Sequence, residues 1–135
     1  MTLSNLPRIT ALVVCVLSTV SCGSADAIAG VNPSGLIETG DFAITISGGT
    51  TPTFSWPGGN AIAIFVQAFP NGNSPSWSVG ANNIGAGFAS PTAYSSVPAG
   101  SELLVSPTLP LQKGVHYLAT VLRVDQRSAQ KEFVP

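Results

Sequence analysis

Thr53-Phe54-Ser55-Trp56-Pro57-Gly58-Gly59-Asn60-Ala61-Ile62-Ala63-Ile64-Phe65-Val66 reads as two β-strands joined by a tight turn. Phe54 and Trp56 alternate with Thr53 and Ser55, the period of a strand with one face in a core. Ala61 to Val66 is apolar at every position, as in a strand covered on both faces. The four residues between them, Pro57-Gly58-Gly59-Asn60, are turn formers.

The pattern continues outward. Phe42 to Ser101 is a stretch of 60 residues without Asp, Glu, Lys or Arg. A long amphipathic helix would carry charge on its solvent face, and Gly and Pro (14 and 11 in the chain) interrupt too often for helices. Phe42, Ile44 and Ile46 alternate with small or polar residues and give a first strand before Gly48-Gly49. Pro52 to Trp56 is the second. Ala61 to Phe69 is the third, ended by Pro70-Asn71-Gly72-Asn73. A short edge strand with irregular loops is expected within Pro75 to Phe88, a further one starts at Ala93-Tyr94, and Glu102 to Val105 makes another. Leu111 to Gly114 turns into a long strand that reaches Val124 and is apolar on both faces. Asp125-Gln126-Arg127-Ser128 is a hairpin turn, and Ala129 to Val134 returns as a last strand whose Lys131 and Glu132 suit a sheet edge.

Seven or so short strands with a turn about every ten residues are the pattern of an immunoglobulin-like sandwich. Phe54-Ser55-Trp56-Pro57 resembles the second strand of fibronectin type III domains, with its core tryptophan. Leu111, Gly114, Tyr117, Ala119 and Val121 are similar to the leucine, turn glycine, corner tyrosine and small apolar residues of that family's sixth strand. Lys113 and Val115 depart from its usual proline and threonine. The resemblance covers Phe42 to Val134 and implies an all-β, single-domain antiparallel sandwich in which the Tyr117 hydroxyl bonds a nearby backbone group. The family hosts many functions, so the fold alone assigns none.

The N-terminus reads as an export signal over residues 1–22, with Arg8 before the apolar run Ile9 to Val20. Thr10, Ser18, Thr19 and Ser21 interrupt that run, so a permanent membrane span is disfavoured. Val20-Ser21-Cys22 resembles a bacterial lipobox, which implies lipidation at Cys22 and a membrane anchor in the cell envelope. Thr19 stands where that motif has an aliphatic residue. Ala25-Asp26-Ala27 is a rival site, and cleavage after it would release a periplasmic or secreted protein starting at Ile28. Residues 23–36 are expected to be a tether and 37–135 the sandwich. Both cysteines, Cys15 and Cys22, fall outside the sandwich, so its core must suffice without a disulfide. Roughly 110 residues bury about two-thirds of their unfolded surface, enough for that.

Chemistry is sparse. Charged residues are 8% of the chain against 44% hydrophobic, and the net charge is −1. Without a basic patch, nucleic acid is not expected as a partner. His116 is the sole histidine. It adjoins Tyr117 in the strand, so it points away from the core if Tyr117 points in, and no Gly-x-Ser-x-Gly elbow accompanies it. Zinc lacks ligands. Glu38 and Asp41 are too few for calcium and read as the lead-in to the first strand. Glu102 and Asp125 are no pair for glycoside hydrolysis, and Asp125 with Arg127 reads as a hairpin ion pair. No cofactor is expected, and the chain is read as a non-enzyme. Two functions remain open: an envelope protein-interaction or structural module, and a carbohydrate-binding module in which Trp77 stacks on a sugar beside Asn71, Asn73, Asn82 and Asn83. Burial of Trp77 favours the first.

Overall fold

The computed structural model describes residues 28–31, 35–107 and 110–135. Ten strands occur among them and no helix: β1 (Ile28–Val31), β2 (Ile37–Gly40), β3 (Thr45–Ile46), β4 (Thr53–Ser55), β5 (Ala61–Ala68), β6 (Trp77–Ala81), β7 (Thr92–Ala93), β8 (Ser101–Val105), β9 (Tyr117–Arg123) and β10 (Ser128–Phe133). They form two antiparallel sheets. The larger has the order β1-β2-β10-β9-β5-β6-β8, the smaller β3-β4-β7. Phe54 of the smaller sheet meets Trp77 at 6.2 Å and Phe133 at 5.7 Å between ring centroids, so the two sheets share one core. The protein is an all-β sandwich.

At its centre β5 pairs with β9 from Ala63↔Leu122 to Ala68↔Tyr117. Ile64 and Val66 on β5, with Ala119 and Val121 on β9, are fully buried against Phe54, Trp77 and Val79. Burying each of the larger aliphatic side chains stabilises the fold by roughly 1.5–3 kcal/mol. Tyr117 enters the same core, and its hydroxyl accepts the Gln112 N–H at 3.1 Å. That bond ties the turn before β9 to the strand. Leu111 is buried beside it, and its N–H donates to the Thr50 carbonyl in the β3–β4 loop. Trp56 is buried, with its indole N–H donated to the Gly59 carbonyl at 3.0 Å.

Several expectations change. The tether over 23–36 includes β1, whose Ile28↔Gly40 to Val31↔Ile37 pairing with β2 makes it part of the sheet. The last strand, β10, is not an edge, because β2 pairs along it from Ala129↔Gly40 to Lys131↔Glu38. Its charges bond to β2: the Lys131 ammonium lies 3.4 Å from the Glu38 carboxylate, and Glu132 accepts the Ile37 N–H at 3.0 Å. Gly40 is required here. Its φ is +124°, and a side chain would collide with the Ala129 backbone and the Ser128 carbonyl. The Trp77 strand is not an edge either, since β8 covers it. Phe42 and Ile44 do face the core, but only Thr45–Ile46 pair as a strand in that segment.

The registers sort the loops into two ends. Residues 57–60, 82–87 and 124–127 share one end, where Asn60 donates to the Ala86 carbonyl at 2.8 Å and Arg123 donates to the Pro57 carbonyl at 3.1 Å. Gly48-Gly49, Asn71 to Asn73, Gln112 to Gly114 and Val134-Pro135 share the other, where the Gly114 N–H donates to the Pro135 carbonyl. Ile28 is opposite Gly40, and Gly40 is opposite Ala129. The chain therefore enters the sheet at the first of these ends, called the entry end below. The second is the far end.

The core contacts give a stability prediction. Trp77→Ala should cost about 3–5 kcal/mol of unfolding free energy. Trp77→Phe should cost much less, because the buried indole N–H has no acceptor among the described residues. Tyr117→Phe should cost about 1 kcal/mol through the lost Gln112 bond. Denaturant unfolding monitored by circular dichroism measures all three.

Candidate functional site

A cleft of about 320 Å³ lies at the far end, between the β3 edge of the small sheet and β10 of the large one. Leu36, Ile46, Gly48, Lys131, Glu132 and Phe133 line it. The cleft exists because β2 and β10 extend the large sheet beyond the cover of the small one. Ile46 and Phe133 form its apolar wall and Lys131 contributes the charge, whereas the Glu132 side chain alternates to the other face of β10, where it meets His116.

Glu132 is buried, and both its oxygens are occupied. One accepts the Ile37 backbone N–H at 3.0 Å; the other lies 2.5 Å from His116 Nδ1. The Glu132 side chain is 8% exposed and that of His116 50%. The His116 ring thus caps the carboxylate from the solvent side, while its own carbonyl accepts the Phe69 N–H at 2.9 Å. The Glu132 carboxyl is held below the usual carboxylate range, first by the Ile37 N–H and next by the His116 bond, against the opposing effect of burial. Lys131 is engaged by Glu38, and the Ser47 hydroxyl oxygen accepts the Thr53 N–H at 2.7 Å. The polar groups around the cleft are thus already committed to holding the strands.

The other proposed site residues do not come together. Trp77 is 0% exposed, stacked on Phe54 and edge-on to Tyr94 at 5.2 Å, so neither ring face can receive a sugar. Asn71 and Asn73 follow β5 at the far end. Asn82 and Asn83 follow β6 at the entry end, a full strand away. Asn83 is used locally: its side-chain oxygen accepts the Gly85 N–H at 2.9 Å. Asp125 bonds Arg123, and Arg127 Nε is 3.9 Å from the same carboxylate oxygen. Buried Arg123 lies 4.9 Å over the Phe42 ring. Trp56, Leu111, Gly114 and Tyr117 are structural in position. Cys22 lies outside the described residues. Among the described residues, no three His, Cys, Asp or Glu side chains gather as a metal ion would need.

The His116–Glu132 pair was accessible in principle from the sequence. A tight hairpin at Asp125 to Ser128 sets Glu132 opposite Leu118, next but one to His116. What no local pattern signals is the third partner, Ile37, which is 95 residues from Glu132. The chain matches no family model, no curated protein and no solved structure.

Because the native Glu132 carboxyl is the stronger acid, the unfolded state binds its proton more readily. Its stabilising contribution is therefore complete above the unfolded value near 4.5 and disappears as pH falls through the lower native value. Glu132→Gln should flatten this acid limb in a series of melting curves from pH 6 downward, where the wild type loses stability. At neutral pH the same variant should be less stable by about 1–3 kcal/mol.

Proposed function

We propose that this chain is a non-catalytic, fibronectin type III-like module of the bacterial cell envelope, exported by its leader and lipid-anchored through Cys22. Its role is to hold or recruit an envelope protein. Support for the family comes from strand order: β3-β4-β7 faces β5-β9-β10 as the A-B-E strands of an immunoglobulin-like sandwich face C-F-G. The Tyr117 to Gln112 bond has the form of a tyrosine corner. The departures are the added β1-β2 hairpin beside β10 and the added β8 beside β6.

The observation that carries the role is the direction of chain entry. Ile28 joins the sheet at the entry end, so an anchor preceding it holds that end toward the membrane and leaves the far-end cleft facing away. With β1 starting at Ile28, five residues separate Cys22 from the sheet, a distance of at most about 18 Å for any chain of that length. A domain held so close keeps its entry corner at the membrane, and its far end is the part a partner protein can reach.

Two measurements test this. Mass analysis of the mature N-terminus should find acylated Cys22; a free Ile28 would replace the anchor with a released protein. Crosslinking from native envelopes should then capture a partner through residues of the far end. Gln112→Lys with Lys113→Glu should reduce that capture, whereas Gln126→Ala should not. The reverse pattern would overturn the orientation.

A further inference from the structure

The loop of residues 82–87 lies at the entry end and holds Ile84, the most exposed of the large apolar side chains at 75%. A lone exposed apolar residue is ordinary. This one sits on a loop whose backbone is bonded internally. The Asn83 carbonyl accepts the Ala86 and Gly87 N–H groups at 3.1 and 2.9 Å, the Asn83 side chain accepts the Gly85 N–H at 2.9 Å, and Asn60 donates to the Ala86 carbonyl at 2.8 Å. Gly87 is wedged against the Ala61 carbonyl, Val124 and Asn60 at φ +65°, with no room for a side chain. The loop is thus braced on the sheet with Ile84 turned outward, and its polar backbone is prepared to leave bulk water. The neighbouring residues 57–60 are exposed, small and uncharged, so little there opposes desolvation.

Resting on the lipid anchor proposed above, we infer that this loop is a second membrane contact, with Ile84 seated in the headgroup–acyl boundary. The occupant follows from where the preceding chain arrives. Ile28 starts β1 and Ile84 follows β6 at the same end of the large sheet, and those two strands are five spacings apart, about 24 Å. An anchor at one corner alone lets the sheet swing; a second contact at the other sets it upright, cleft outward. One branched aliphatic side chain gives a weak contact by itself. It is sufficient beside a tether that keeps it at the surface, for the same reason that two weak membrane signals together hold a protein that one does not.

The test uses the processed full chain, purified from envelopes and placed in vesicles of phosphatidylethanolamine with a minority of phosphatidylglycerol. An environment-sensitive fluorophore is attached at Ile84→Cys or, at the far end, at Lys113→Cys, both exposed positions. With an acylated N-terminus, the label at position 84 should brighten several-fold on reconstitution and be quenched by nitroxide lipids, and the label at 113 should do neither. If both labels stay in water while the N-terminus is acylated, the second contact is refuted and the anchor stands. If both are quenched, the domain lies flat and the upright placement is refuted. If the N-terminus is a free Ile28, the anchor itself is wrong and the inference falls with it.

Discussion

The pairing of β5 with β9 is the constraint on which the rest of the structure depends. Each is apolar on both faces, so neither can sit at an edge without exposing a row of aliphatic side chains, and each needs a neighbour on both sides. β6 and β10 are those neighbours. The inner face that results, with Ile64, Val66, Ala119 and Val121, requires a lid, and the three short strands β3, β4 and β7 provide it chiefly through Phe54. The lid can be small because aromatic rings do most of the filling: Trp77, Tyr94, Phe54, Phe133 and Tyr117 form one chain of ring contacts. The opposite face keeps Ala63 and Leu118 buried outside that core, with Thr120 and Gln130 hydrogen-bonded across it.

The strands most legible in the sequence are those whose environment is written into their own residues. Phe54 and Trp56 alternate because one face of β4 is core, and the unbroken apolar run of β5 marks the sheet centre. β1 and β2 carry no such mark. Ile37-Glu38-Thr39-Gly40 has neither period nor apolar weight, and it becomes a strand only because β10 offers it bonding groups from the other end of the chain. For the same reason Lys131 and Glu132 suggest an edge when read locally. Charges on a strand exclude a neighbour only when the neighbour brings no partners; Glu38 and the Ile37 N–H are such partners. Trp77 illustrates a different gap. Its flanking Asn residues are close in sequence, yet one strand of an antiparallel sheet carries the chain from one end of the domain to the other, so Asn71 and Asn83 finish on opposite ends.

Charge is scarce in this chain, and its placement follows from that scarcity. Arg123 is buried against Phe42 and bonded to Pro57 and Asp125, where it locks the entry-end turns. Glu132 is buried against Ile37 and His116, where it locks β2 to β10 and to the start of β9. A carboxylate in such a position costs stability unless both oxygens are satisfied, and here they are. The same satisfaction bears on chemistry, because a carboxylate that gives both oxygens to the fold is a poor candidate for accepting a proton from a substrate.

β1 connects these points to the proposed anchor. If residues 23–36 were all tether, the domain would tumble freely and its two ends would be equivalent for any partner. With Ile28 to Val31 in the sheet, the link is short and leaves from one corner, so the ends become inequivalent: one carries the internally bonded loop that presents Ile84, the other the cleft. Gly40 makes this possible, since β2 can approach β10 closely enough to seat β1 only where no side chain intervenes. One residue without a side chain thereby helps set β1 into the sheet, and the proposed orientation rests on that placement.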